Sequence, residues 1–511
     1  MSSTSTTHPP AAARAPDLRR AILSLGAVNA LDMASQVLLP MVLVRLLIAP
    51  EFSVYRHVWL IAGTALSLLP MAIPTSLYYF LPRHDGARRA VYVTQAAWFM
   101  AGAGLVAALA CGLWASNQPL PNSQRWAIVG FVGLWTFAAL LDGLFNAQQR
   151  NTRQAAVNLV FALTRFVLVV AVAGVTRSLG AVLAAHVVLA ALKAGYCALA
   201  LRHDVAALIG PAASPGASTA SPWWSWQRAT WREQLHYAAP LGASSGLYLL
   251  RGRIDQWLVA AVFAPELFGL YSVAAVFTPI QGLIRSTINN VVLPELNRLQ
   301  ADADLGRMIE LNQRGNLAVA MVMFPVLAYL AAAATPVLAL LFTHDYTGAA
   351  PVVRVYALSL LIESMEVTTL LTAFRQGRYM MRLDAFLLIF SVLVASLGAW
   401  AFGLPGAAMG GAVSALVTQI AGYRRCARLA SCRVGVLQPW GPILRVLAAA
   451  GIAGGVVAAG LWQFSGASAW LQVLASAPAL AVLYWLCLRV FGLGAAMRQV
   501  FGPKIAAALF L

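Results

Sequence analysis

Apolar runs of about 20 residues, each long enough to cross a hydrocarbon core, recur along the whole chain. No other feature restricts the fold as much. Barrel strands alternate apolar and polar residues, and these runs do not. The expected fold class is an all-α polytopic membrane protein. Only 10% of the 511 residues are charged, against about 25% in a soluble domain.

About fourteen transmembrane helices can be placed on this criterion. The first six lie near Ala21–Leu47, His57–Leu81, Ala90–Trp114, Trp126–Asn146, Gln154–Val175 and Leu179–Leu201. The next six are Leu235–Phe263, Gly269–Leu293, Asn316–Phe342, Pro351–Phe374, Ala385–Phe402 and Pro405–Tyr423. Val446–Phe464 and Ala467–Leu488 follow as two extra helices. This layout assigns residues 1–20 to a cytoplasmic tail, 21–201 to a six-helix N-lobe and 202–234 to a cytoplasmic linker. Residues 235–423 form a six-helix C-lobe, 424–445 a basic cytoplasmic loop, 446–490 the two extra helices and 491–511 a second cytoplasmic tail. The linker contains GPAASPGASTASP, a flexible composition, followed by Trp223, Trp224, Trp226 and Trp231 interleaved with Arg228 and Arg232. That mixture suits a segment lying on the membrane surface, or a plain loop into the next helix.

The formal charge of +18 comes almost entirely from arginine. It lies in short loops between apolar runs, so it reads as membrane orientation and not as a nucleic-acid surface. With the N-terminus inside, the cytoplasmic loops hold Arg83, Arg88 and Arg89, then Arg150 and Arg153, Arg202, Arg228 and Arg232, Arg298, Arg307 and Arg314, Arg375, Arg378 and Arg382, and Arg424, Arg425, Arg428, Arg433 and Arg445. The opposite loops hold little beyond Arg56, Arg125 and Arg177. Both termini are therefore expected in the cytoplasm. The outer loops are too short for a catalytic domain. The five cysteines form no CxxC, and neither a disulfide, a metal site nor a cofactor is expected.

The chain also repeats itself. LVRLLIAPEFSVY (Leu43–Tyr55) and LVAAVFAPELFGLY (Leu258–Tyr271) align with one inserted residue. Such an internal repeat suggests a transporter built of two similar halves.

These residues bring a family into view. LVRLLIAPEFSVYRHVWLIAG with Leu81-Pro82-Arg83, LLFTHDYTGAAPVVRVYALSLL (Leu340–Leu361) and GLPGAAMGGAVSALVTQIAGYRRCARL (Gly403–Leu429) resemble the Wzx-type polysaccharide/O-antigen flippases of the multidrug/oligosaccharidyl-lipid/polysaccharide exporter superfamily. Ser53 departs from the glycine usual in the first repeat, whereas Gly269 keeps it. Thr343 and His344 stand where a glycine is usual. The resemblance implies two lobes in a V around a central cavity. It also implies movement of an undecaprenyl-pyrophosphate-linked oligosaccharide from the cytoplasmic to the outer leaflet, with a polysaccharide polymerase and export machinery as partners. For the two extra helices it suggests a lipid-tail groove; the alternative is that they pad the bundle.

Charges inside apolar spans are costly and face a cavity or a partner. Arg165, Arg251, Arg253 and Arg285 are the candidate substrate-binding residues, because the arginine fork suits paired phosphate oxygens. Asp32, Asp255, Glu363 and Glu366 are the candidates for binding a coupling H⁺ or Na⁺. The competing reading makes these groups internal ion pairs: Arg251 with Asp255 four residues on, or Arg253 with an acid of another helix. Arg45 and Arg354 read as interfacial, and His186 as a packed core histidine. An ion-coupled multidrug exporter of the same fold is the first alternative function. A membrane polysaccharide polymerase or ligase is the second; such enzymes resemble one another in having a large outer loop, and this chain is expected to lack one. No Walker A or HExxH motif is present.

Overall fold

The computed structural model describes residues 31, 33–84, 86–209, 226–494 and 497–498. The N-terminal tail, the start of the first span, Asp32, Trp223 and Trp224 of the linker, and most of the C-terminal tail lie outside the described residues. The described residues are helical, with no strand among them.

The helices are α1 (Met33–Leu46), α2 (Ala49–Leu68), α3 (Ile73–Phe80), α4 (Gly86–Ser116), α5 (Asn122–Ala138), α6 (Leu140–Ala147), α7 (Asn151–Thr176) and α8 (Leu179–Ile209). After the linker come α9 (Arg228–Arg251), α10 (Ile254–Val262), α11 (Pro265–Ala274), α12 (Thr278–Ala301), α13 (Leu305–Ala332) and α14 (Ala334–Leu341). The chain continues through α15 (Ala350–Glu363), α16 (Thr368–Ala373), α17 (Gly377–Leu429), α18 (Trp440–Gln463) and α19 (Ala469–Val490).

Among the described residues, ten helical stretches are long and apolar enough to cross a membrane. The sequence led us to expect about fourteen, and the difference has a physical cause. The first span is described only in part. The eleventh and twelfth spans run together as α17, bent at Gly403, whose φ of 66° is left-handed and open to glycine at little steric cost. The seventh and tenth spans are interrupted, so no single helix in them is both long and apolar. The seventh is split into α9 and α10 at Gly252 and Arg253, and the tenth into α15 and α16 at residues 364–367. On either side of the Gly403 bend, Gly398 and Gly406 approach so closely that a Cβ on either would overlap the other's backbone.

Two compact units emerge: residues 1–43 with 65–243, and residues 44–64 with 244–511. In the first unit, α3, α4, α6 and α8 enclose a core that includes Ile73, Phe80, Tyr92, Leu144 and Phe145. Pro70 and Pro74 bracket a break between α2 and α3, where Met71 and Ala72 take positive φ. Linker residues next to α9 are anchored here. Gln95 donates to the Gln227 carbonyl at 2.9 Å, and Trp231 packs on Phe99 and Trp226.

In the second unit, α12, α13, α16 and the end of α17 share one core. The last two helices, α18 and α19, pack on α13 and α14. The two copies of the sequence repeat meet in this unit. Gly269 of α11 packs on Ser53 of α2, its counterpart in the alignment, and a Cβ at residue 269 would collide with the Ser53 hydroxyl. Arg56, expected in a loop, lies within α2 and donates to the Ser272 hydroxyl and carbonyl at 3.0 and 2.7 Å.

Candidate functional site

The two interrupted helices carry Arg251, Arg253, Asp255, Glu363 and Glu366, and the first break has a local origin. Glycine is about 1 kcal/mol less favourable than alanine inside a helix, and Gly252 directly precedes the turn of Arg253 (φ −126°, ψ 4°). In a membrane span, backbone groups freed by such a break need new partners. At the α15–α16 break they find them. Tyr423 donates to the Met365 carbonyl at 2.6 Å, and Asn316 donates to the Glu366 carbonyl at 3.0 Å. The Arg285 side chain also reaches the Glu366 carbonyl.

Arg285 and Glu366 form a buried ion pair at this break. Arg285 donates further to Asn316 Oδ1 at 2.7 Å. The Glu366 carboxylate also accepts from Thr368, from Thr369 at 3.0 Å and from Asn289 at 3.4 Å. Every oxygen of Glu366 is thus engaged within the second unit.

Arg251, at the end of α9, pairs with Asp384 of α17 at 3.2 Å and donates to Thr418 Oγ1 at 2.9 Å. Both side chains of the pair are nearly enclosed, with 14% and 11% exposure. The expected partner, Asp255, is bound elsewhere. Its Oδ2 accepts the Tyr271 hydroxyl at 2.6 Å and the Tyr356 hydroxyl at 2.5 Å. The four-residue spacing predicts a shared face only in an unbroken helix, and the break at Gly252 and Arg253 separates the two side chains.

Arg253 differs from the other three arginines. It is half-buried, and among the described residues it makes no hydrogen bond or ion pair. Its guanidinium lies against Gly63 of α2, where a Cβ would collide with it. Glu363 likewise has no hydrogen bond or ion pair among the described residues. Arg165 belongs to the first unit, where it is buried, donates to Ser35 at 3.1 Å and lies 6.0 Å from the Trp135 ring. Lys193 lies 5.1 Å from the same ring. His186 is buried against Phe131, with Nδ1 2.9 Å from the Val182 carbonyl. Arg45 donates to the Leu341 carbonyl at 2.7 Å and Arg354 to that of Ala331 at 3.2 Å, both from exposed positions.

A cavity of about 600 Å³ opens in the second unit beside Arg251. Its lining includes Ser244, Ser245 and Tyr248 of α9, Asn289 of α12, Glu366, Thr368 and Thr372 near α16, and Asp384 and Thr418 of α17. The sequence reading missed Asp384, Tyr248 and this ring of hydroxyls. Asp384 is the one acid in the stretch from Arg375 to Arg445, and that isolation was the available signal. A second cavity, of about 420 Å³, lies between α18 and α19 and is lined mainly by apolar residues such as Val457, Leu461, Phe464 and Leu483.

The sequence profile of a family described as "Polysaccharide biosynthesis protein" matches residues 42–351. No curated protein matches the chain. Among solved structures, the lipid II flippase MurJ in an inward closed conformation aligns over 92% of this chain and 99% of its own, with a TM-score of 0.65 and 10% identity. An inward-facing multidrug resistance MATE family transporter of the MOP superfamily aligns over 80% of this chain and 94% of its own, with a TM-score of 0.57 and 12% identity. A MOP superfamily transporter from Pyrococcus furiosus aligns over 81% of this chain and 96% of its own, with a TM-score of 0.55 and 13% identity. At these identities the structural likeness speaks for the fold, and the profile, which spans more than half of the chain, speaks for descent. The chain is a multi-pass membrane protein that belongs to the polysaccharide biosynthesis protein family, and its fold is similar to those of MurJ and the MATE family transporter.

Proposed function

We propose that this protein is a flippase that carries an undecaprenyl-pyrophosphate-linked oligosaccharide from the cytoplasmic to the outer leaflet of a bacterial inner membrane, for export of a cell-surface polysaccharide. Membership of the polysaccharide biosynthesis family supports the pathway, and the fold supports transport by alternating access. Arg253 is the observation that carries the substrate class. A guanidinium held in an interrupted membrane span, without a counter-ion among the described residues, calls for an anion from outside, and a diphosphate offers oxygens matched to its fork. A cationic drug would be repelled there, which ranks the multidrug-exporter reading second.

The arginine distribution supports cytoplasmic termini. Outward movement of the anionic headgroup from a negative-inside cell gains about 2.3 kcal/mol per charge per 100 mV. Of the acids considered for a coupling H⁺ or Na⁺, Glu366 is committed to Arg285. Asp255 and Glu363 have no basic partner in direct contact among the described residues, and they are the acids we assign to coupling. A polysaccharide polymerase and the export machinery would receive the product.

The test is the leaflet location of undecaprenyl-linked saccharide in cells depleted of the protein. Accumulation on the cytoplasmic side, relieved by wild type, is the expected result. Normal delivery with unchanged polysaccharide output would reject the flippase reading and bring the drug exporter forward.

A further inference from the structure

The cavity beside Arg251 has a chemistry of its own. Its charges are already matched: Arg251 is held by Asp384, and Glu366 by Arg285. An entering diphosphate would have to displace Asp384 from Arg251 while lying next to two carboxylates. What the cavity offers freely is neutral. The hydroxyls of Ser244, Ser245 and Tyr248 make no hydrogen bond among the described residues, and Tyr248 is 56% exposed. Thr372 donates to the Thr368 carbonyl at 2.8 Å and keeps its oxygen lone pairs as acceptors. Met380 and Leu383 add apolar wall. A volume of about 600 Å³ falls within the range of small-molecule sites, about 300–1,000 Å³.

We propose that this cavity binds the sugar residues of the transported lipid, not its diphosphate. The inference rests on the flippase reading and divides the substrate between two places. The charged diphosphate belongs to Arg253, which lies outside this cavity lining, and the polyhydroxylated headgroup to the hydroxyl-lined cavity. A sugar ring presents hydroxyl donors and acceptors along its edge and C–H groups on its faces. The free hydroxyls and the apolar wall of the cavity complement both.

The experiment uses the full-length protein in lipid nanodiscs and two probes. One is undecaprenyl pyrophosphate without sugar. The other is the undecaprenyl-linked saccharide fraction extracted from producing cells depleted of the protein. Tyr248→Ala, and separately Ser244→Ala with Ser245→Ala, should weaken binding of the glycosylated probe at least tenfold. Binding of the bare probe should change less than twofold. Arg253→Ala should weaken both. Thermal melting of each variant shows that it is folded, and the serine pair removes only two hydroxyls. Equal loss for both probes in the cavity variants would make the cavity a phosphate site and overturn the inference alone. Unchanged binding of both probes in those variants would also overturn it. Wild-type protein that binds neither probe would reject the flippase reading together with the inference.

Discussion

The guanidinium of Arg251 lies 3.2 Å from the carboxylate of Asp384, on a different helix, and both are almost wholly enclosed. The pair joins the end of α9 to the start of α17 at the point where α9 breaks. Removing one partner of a buried pair leaves an uncompensated charge, at a cost of about 3–5 kcal/mol. Arg251→Met and Asp384→Leu should each lower the melting temperature of the detergent-solubilised protein. The double variant should be more stable than either single one. Singles that melt like wild type would show that the pair contributes nothing.

Glu363 and Glu366 lie three residues apart and should respond in opposite ways. Glu366→Gln removes the charge that holds Arg285 and loosens the α15–α16 break, at a cost of about 3 kcal/mol. Glu363→Gln breaks no hydrogen bond or ion pair among the described residues and should cost less than about 1 kcal/mol. Thermal melts of the two variants side by side decide this. If Glu363 is a coupling acid, its variant should instead change the pH or Na⁺ dependence of transport.

Arg253 is predicted to matter for transport and not for folding. Arg253→Gln should melt within error of wild type and lose at least tenfold in flipping, a change of about 1.4 kcal/mol. Gly63→Ala provides a control that keeps the charge. Its new methyl group would occupy the space of the guanidinium, so it should reproduce the transport defect. A leaflet assay that finds both variants fully active would remove Arg253 from the substrate path.

The Asp255 site gives a separable prediction. Hydrogen bonds to a charged acceptor contribute about 1.5–3 kcal/mol each, so Tyr271→Phe and Tyr356→Phe should each destabilise the protein by about that amount. In an Asp255→Asn background the acceptor is neutral and the same substitutions should cost less. A double-mutant cycle from melting curves measures the difference, and costs that are equal in both backgrounds would mean that the phenols do not act through the carboxylate.

The sequence made the membrane fold legible because hydropathy is summed over some twenty residues and tolerates an error of a few. The breaks at Gly252 and at residues 364–367 depend on one or a few residues, and a long window averages them away. Missing the first break produced the wrong partner for Arg251, since the expected Asp255 contact assumed a continuous helix. Asp384 was hidden among Arg375, Arg378 and Arg382, where composition indicated a loop. That Arg251, Arg253 and Arg285 lie within apolar spans could be read from the sequence. Which of them retained an open charge depended on acids and hydroxyls brought in from distant helices.

Ser53 and Gly269 hold equivalent places in the two repeats and also touch each other. A residue that touches its own counterpart cannot be chosen independently of it. Two serines would crowd the contact, and two glycines would leave it unfilled. The pair fits because one small residue lies against one slightly larger one. The contact between the two repeats at this point therefore depends on their being unlike there.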